Sequence, residues 1–268
     1  IMIGALLFLG CPLRMVIRMS AGDLNAWVAL IGFVLGVATG VVALKKGFSL
    51  GRAYVTNKES GAVISVIVVG ILILALCTTL LKSSTAGPGS VHAPIIAALI
   101  GGLVFGAFAQ KSRMCFAGSI RDIILMKNFD LFSVIAGLFV VMLIFNVATG
   151  RFVLGFDTPG VIAHSEHIWN ILGMYAVGFA AVLAGGCPLR QLILAGQGSS
   201  DSAVTVAGMF VGAALCHNLG LAASGTALNP ETQEVVAGAV PMNGKIACII
   251  CIVLCFVIAF TNKRKEAK

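Results

Sequence analysis

The sequence predicts an all-α, polytopic membrane protein built from inverted repeats, in which broken or re-entrant half-helices carry cysteines. Three observations predict it. The chain has 268 residues, 59% of them hydrophobic and only 10% charged, with a mean hydropathy of +1.05, more apolar material than a soluble core of this size can bury. Its apolar residues gather into runs long enough to cross or enter a bilayer. The pentapeptide GCPLR occurs twice, at Gly10 to Arg14 and at Gly186 to Arg190, in apolar surroundings where a proline and an arginine both cost free energy.

The apolar runs are Leu24 to Leu44, Ala62 to Leu81, Ala93 to Ala109, Leu131 to Ala148, Ile168 to Gly186, Ala203 to Leu221 and Lys245 to Phe260. The formal charge of +8 is scattered between these runs and forms no basic domain, so nucleic acid is not an expected partner. Lysine and arginine instead orient the chain: Lys45, Lys46, Arg52 and Lys58 mark one loop as cytoplasmic, and Lys263, Arg264, Lys265 and Lys268 place the C-terminus there too. The eight cysteines lie almost entirely inside apolar segments, which argues against a disulfide framework. Only a short apolar stretch precedes the first GCPLR, whereas a full helix precedes the second. Residues 1–268 therefore read as a single, N-terminally truncated transmembrane domain without a signal peptide.

Alternating the runs across the membrane places the loop at Lys82 to His92 and that at Arg151 to His167 outside, with Gln110 to Asp130 towards the cytoplasm. The first GCPLR segment then runs outwards and the second inwards, as in the inverted repeats of many secondary transporters. Residues 1–81 are read as the remainder of the first repeat and 93–260 as the second. At the same offset Gly22 falls on Gly198, Gly32 on Gly208 and Gly36 on Gly212. A weaker third relative runs from Gly106 to Cys115, with the glycine and cysteine spacing of Gly178 to Cys187 but no proline.

Gly-Cys-Pro reads as a helix break followed by a helix start, because proline at the first helical position sacrifices no hydrogen bond. Gly10 and Pro12, and Gly186 and Pro188, are the structural residues of these breaks. Cys11 and Cys187 lie beside the starts, where free N–H groups and the positive end of the helix dipole favour an anion. Such ends persist at membrane depth only when buried in protein or lining a cavity. Arg14, Arg113 and Arg190 each cost about 2.5–3.5 kcal/mol at the bilayer centre. Either they lend positive potential to an anion path, or they pair with Asp23, Asp122, Asp130 or Asp201 or snorkel to the interface. The thiols of Cys11, Cys115 and Cys187 are soft, weak donors suited to sulfur or selenium; the blander reading makes them small core residues.

Cys248, Cys251 and Cys255 share one helix face, but without a histidine they read as packing and not as a metal site. Cys77 and Cys216 read likewise, and Asn218 and His217 as a hydrogen-bonded helix end. His92, His164 and His167 are expected in external loops, as weak candidates for substrate capture. The GxxxG spacings at Gly32 and Gly36 and at Gly208 and Gly212 permit close helix approach. No cofactor-binding motif is present, and no GxxxxGK[ST] string to hydrolyse ATP.

Several strings together, GCPLRM at 10–15, KKGFSLGR at 45–52, GPGSVHAP at 87–94, KSRMCFAGSIRD at 111–122, GCPLRQLILAGQG at 186–198 and HNLGLAAS at 217–224, resemble the YeeE/YedE sulfur-transport family from end to end, and within it the YedE-like selenium-transporter branch. The resemblance implies a bacterial inner-membrane protein with pseudo-twofold inverted halves and a thiosulfate path lined by cysteines, at the positions of Cys11, Cys115 and Cys187.

The expected function is uptake of a small selenium- or sulfur-containing anion along a cysteine-lined central path, without enzymatic chemistry. Lipid surrounds the chain, and a cytoplasmic sulfur or selenium carrier protein is the expected consumer. The alternative is a membrane transferase that forms a persulfide or perselenide on one of the cysteines.

Overall fold

The computed structural model describes residues 1–51, 58–78, 93–156, 162–228 and 235–263. Its elements, in chain order, are the helices α1 (Met2–Phe8), α2 (Pro12–Ser20), α3 (Leu24–Lys45), α4 (Lys58–Cys77), α5 (Ile95–Lys111), α6 (Phe116–Met126), α7 (Asp130–Ala148), α8 (His167–Leu183), α9 (Pro188–Gly196) and α10 (Ser200–Asn218), then the two-residue strands β1 (Ala227–Leu228) and β2 (Val235–Val236), and α11 (Met242–Thr261). The two strands pair antiparallel, a detail without a signal in the apolar pattern. The protein is otherwise all-α and polytopic: among the described residues six spans are long and apolar enough to cross a membrane, and three of them, Met2–Ser20, Ile95–Met126 and His167–Gly196, are helices broken part-way. The loop at Lys82 to His92 lies outside the described residues, as do Arg52 and the residues after Lys263. Within the segment placed towards the cytoplasm, Gln110 to Asp130, stands the helix α6. Its Arg121 and Asp122 interrupt an apolar run whose helical periodicity is otherwise intact.

The described residues form two compact units, one of Ile1–Arg52, Cys115–Leu189 and Ala207–Lys268, the other of Ala53–Met114 and Arg190–Val206. In the first, α8 is the central helix, with Met174, Val177, Phe179 and Ala181 wholly or almost wholly buried. It packs along α3 through glycines. A Cβ on Gly32 or Gly36 would fall onto the carbonyl oxygens of Ile171 and Tyr175, and Gly40 faces the Val182 side chain. From the α8 side, Gly178 meets the Phe33 carbonyl. The small-residue stripe thus lets two backbones touch, which replaces the hydrophobic drive that lipid removes. The opposite face of α3 leaves Ile31 and Leu35 exposed, as suits a lipid contact. At the other predicted pair the outcome differs: among the described residues nothing lies within 4 Å of a Cβ on Gly208, and Gly212 meets the Met2 side chain. On a second side of α8, Gly4 of α1 sits against Gly173.

The end of α3 is fixed by polar contacts. Asp23 caps it through the Asn25 N–H at 2.9 Å, and Asn25 Nδ2 donates to the Phe156 carbonyl at 2.6 Å. The extended segment at 151–156 runs beside this corner, with Val153 N–H donating to the Ala21 carbonyl and Leu24 N–H to Gly155. In the second unit, Gly61 of α4 lies against the Gly198 carbonyl.

Gly36→Leu should lower the stability of the detergent-solubilised protein by about 3 kcal/mol, the upper end for overpacking, because the obstruction is backbone. Gly137→Leu in α7, where nothing among the described residues lies within 4 Å of the added Cβ, should leave the thermal midpoint within a degree or two of the parent. Thermal unfolding of the two variants compares them.

Candidate functional site

Three helices, α1, α5 and α8, end in the same way. Two residues before each cysteine the backbone turns left-handed, at Leu9 (φ 62°), Arg113 (φ 54°) and Gly185 (φ 80°). The next N–H, of Gly10, Met114 or Gly186, then reaches back to the carbonyl of Ala5, Ala109 or Ala181 at 2.8, 3.0 and 2.8 Å. This is the 6→1 bond of a Schellman closure. Cys11 and Cys115 follow as N-caps of α2 and α6, and Cys187 stands directly before α9. The third relative, matched in sequence by spacing alone, therefore shares the backbone of the two GCPLR copies, with Phe116 in place of proline.

The breaks differ in how they are lined. Pro12 and Pro188 are buried at the first positions of α2 and α9. Gly10 makes room for Arg14, whose Cδ would stand 2.9 Å from a Cβ there. Cys11 is half-buried, and its side chain makes no capping bond. Cys115 is buried and caps its own helix, with its Sγ accepting the Gly118 N–H at 3.2 Å. Cys187 stands against the same sulfur with its backbone N–H and its thiol, and Arg121 adds a positive charge nearby. Cys115 and Cys187 are thus brought together, while no hydrogen bond joins Cys11 to either among the described residues. Arg113 is exposed. Arg121 is paired with Asp122 at 2.9 Å and lines a small cleft with Ala117, Gly118 and Gly186.

Arginine pairing follows a different pattern from the sequence reading. Asp23, one of the acids expected near Arg14, belongs to Arg18: Arg18 Nε donates to Asp23 Oδ2 at 2.6 Å with both side chains buried. Arg18 also donates from Nη1 to the Phe8 carbonyl at 2.8 Å and stacks on the Phe8 ring at 4.2 Å. Three guanidinium N–H groups remain buried without a partner among the described residues, on Arg14 Nε, Arg18 Nη2 and Arg190 Nη1. Such unpartnered donors in a buried setting are free to meet an anion. Sequence reasoning passed over Arg18 because the repeat offset places Leu194 opposite it; its spacing of five residues from the nearest acid was the available signal.

His164 is also placed differently. It was expected in an external loop as a substrate-capture residue, but it is fully buried, with Nε2 2.6 Å from the Leu7 carbonyl. A carbonyl only accepts, so Nε2 carries the proton and Nδ1, buried without a partner among the described residues, carries none. Near it, Glu166 binds Lys245 at 2.7 Å and accepts the Val240 N–H at 2.7 Å. His167 is exposed, in edge contact with Phe156. Asn218 ends α10 with a bond to the Ala214 carbonyl at 2.8 Å, as a helix end requires.

A family model described as sulphur transport matches residues 111–268. The chain belongs to this sulphur transport family. The resemblance carried by the GCPLR and SRMCFAG strings holds at that level, and the matched region of this sulphur transport family member contains Cys115, Cys187 and Arg190. Among curated proteins, the thiosulfate transporter TsuA of Spirochaeta thermophila is 30% identical over 100 residues, which is 37% of this chain and 29% of that relative. The match therefore spans less than a third of the relative's length. No solved structure matches the chain.

Burial lowers the His164 pKa from its ordinary value, against the raising effect of the Leu7 carbonyl and the Glu166 charge. The unfolded chain then binds a proton near pH 6.5 that the folded chain refuses, so stability is complete above that pH and is lost as pH falls towards the folded pKa. The thermal midpoint in detergent should drop between pH 7 and pH 5. In His164→Gln, which can still donate to Leu7 without titrating, the drop should be smaller.

Proposed function

We propose that the chain carries a small sulfur-containing anion, with thiosulfate as the first candidate, across the bacterial inner membrane along a path whose contacts are Cys11, Cys115 and Cys187. The observation that carries this reading is the shared construction of the three breaks, each presenting a thiol at a helix start, with Cys187 hydrogen-bonded to Cys115. A helix start offers N–H donors and a positive dipole end to an oxyanion, and a thiol offers a polarisable contact to its sulfane sulfur. Arg14, Arg113 and Arg190, each within three residues of one of these cysteines, add positive potential. Gly10, Pro12, Gly186 and Pro188 hold the breaks open.

The inverted halves, residues 1–81 and 93–260, and a cytoplasmic C-terminus belong to the same reading. They draw support from the lysine distribution and from the common backbone of the breaks. Selenium analogues of the anion fit the same soft contacts, and a cytoplasmic sulfur or selenium carrier protein would consume what enters. The relative's own substrate, thiosulfate, favours sulfur over selenium as the first test. In this reading the thiols hydrogen-bond and do not attack, so no covalent intermediate forms.

Uptake of radiolabelled thiosulfate into cells lacking other routes should fall roughly tenfold or more in Cys115→Ala or Cys187→Ala, since each removes a donor to a charged ligand, and should fall in Cys11→Ala. Normal uptake in all three variants would overturn the proposal. Intact-mass measurement after exposure to thiosulfate should show no added sulfur; a persulfide on any of the three would favour a transferase instead.

A further inference from the structure

Away from the cysteines, the ends of α3 and α11 enclose a slot of ≈ 170 Å³ against α8. Its walls are Val42, Ala43, Phe179, Phe256, Ala259 and Phe260, and its rim carries Lys46 and Lys263. The floor is rigid. Phe179 is fully buried and meets Phe256 edge-on at 4.9 Å, and Phe256 stacks on Phe260 at 6.2 Å. Thr39, the remaining lining residue, already donates to the Leu35 carbonyl at 2.9 Å and accepts from Tyr175 at 3.1 Å.

The slot is amphipathic along its length. Its apolar part is continuous with side chains that face outwards, Val42 at 49% and Phe260 at 57% exposure, on helices that the fold assigns to the membrane. Its basic part stands where both helices stop: α3 ends at Lys45 and α11 at Thr261. An antiparallel bridge between Phe48 and Lys263, with Ser49 N–H donating to the Asn262 carbonyl at 3.0 Å, ties the two ends together. Neither Lys46 nor Lys263 has an ion-pair partner among the described residues. We infer that this slot binds an anionic phospholipid, with one acyl chain laid against Phe179, Phe256 and Phe260 and the phosphate held between the ammonium groups of Lys46 and Lys263.

Charge complementarity selects the lipid class. A zwitterionic headgroup brings its own ammonium to a rim that already holds two, whereas a phosphodiester without one neutralises them. A small inorganic or sulfur anion would gain the lysines but nothing from the apolar floor, where the Thr39 hydroxyl is already engaged. The inference is independent of the proposed transport path, because no residue of the slot belongs to it.

Native mass spectrometry of the detergent-purified chain tests it, with phosphatidylglycerol and phosphatidylcholine of matched acyl chains. Phosphatidylglycerol should bind more tightly, and Lys46→Gln with Lys263→Gln should weaken it roughly thirtyfold, to the phosphatidylcholine level. Val42→Trp, at an exposed position on the wall, should weaken both lipids by narrowing the slot. Equal affinity for the two lipids, or unchanged phosphatidylglycerol binding in either variant, would overturn the inference. Displacement of the lipid by millimolar inorganic phosphate or thiosulfate would overturn it too, by assigning the lysines to a free anion.

Discussion

A helix that stops inside a bilayer exposes carbonyl oxygens that no water can reach, and each one left bare costs several kcal/mol. The construction around α1 answers this constraint group by group. Its last four carbonyls are all engaged: Ala5 by the Gly10 N–H and Leu6 by the Ala223 N–H, Leu7 by His164 and Phe8 by Arg18. Two of these donors are backbone and two are side chains drawn from elsewhere in the chain. A seven-residue helix is too short to persist alone, so α1 exists because the fold supplies these partners and because Gly4 and Gly173 let it lie against α8. The same demand explains a buried arginine and a buried histidine that the proposed transport chemistry does not need.

Satisfying the carbonyls on one side of a break leaves the other side unbalanced. The half-helix that follows begins with N–H groups that have no intrahelical acceptor, and proline at the first position removes one donor while leaving the dipole in place. The Arg18 charge is offset by Asp23, whereas Arg14 and Arg190 have no ion-pair partner among the described residues. The net result beside Cys11 and Cys187 is positive, in a setting where a sulfur atom is the nearest polarisable group. At Cys115 the sulfur itself takes up the local N–H of Gly118, and the Cys187 thiol is already committed to it. An anion entering between these two cysteines would have to exchange with a hydrogen bond that exists without it, so contact there need not bind tightly, as passage requires.

Much of this was legible in the residues. Hydropathy delivers five of the six spans found among the described residues, the broken Met2–Ser20 being absent from the apolar runs, and GCPLR delivers two of the three breaks, because proline and arginine in an apolar run have few other uses. The third break was visible only as a spacing, since Ser112 to Phe116 contains neither glycine nor proline. Long-range donors were not legible: nothing local marks His164 as the partner of Leu7, 157 residues away. The glycine stripe on α3 read correctly for Gly32 and Gly36, yet the same spacing at Gly208 meets no neighbour among the described residues, because GxxxG states what a helix permits and not what lies opposite. Arg113, read as a charge at membrane depth, stands in the left-handed turn with its side chain exposed.

That left-handed position separates the three breaks most sharply. Glycine occupies it at residue 185 without strain, whereas Leu9 and Arg113 each bear about 1 kcal/mol for a conformation that L-residues avoid. The cost is tolerated because the 6→1 bond behind it closes a carbonyl that would otherwise cost more. The turn geometry is therefore set by the need to bury a helix end, not by the residue that adopts it. Proline is likewise dispensable at the following helix start, since Phe116 opens α6 as Pro12 and Pro188 open α2 and α9. Cysteine is common to all three breaks immediately before the new helix; the Cys115 sulfur caps α6, but Cys11 makes no capping bond among the described residues. At Cys11 the sulfur is thus left over by the local fold, which supports the proposed contact with a passing anion and bears on that thiol more directly than on the glycines, prolines or arginines around it.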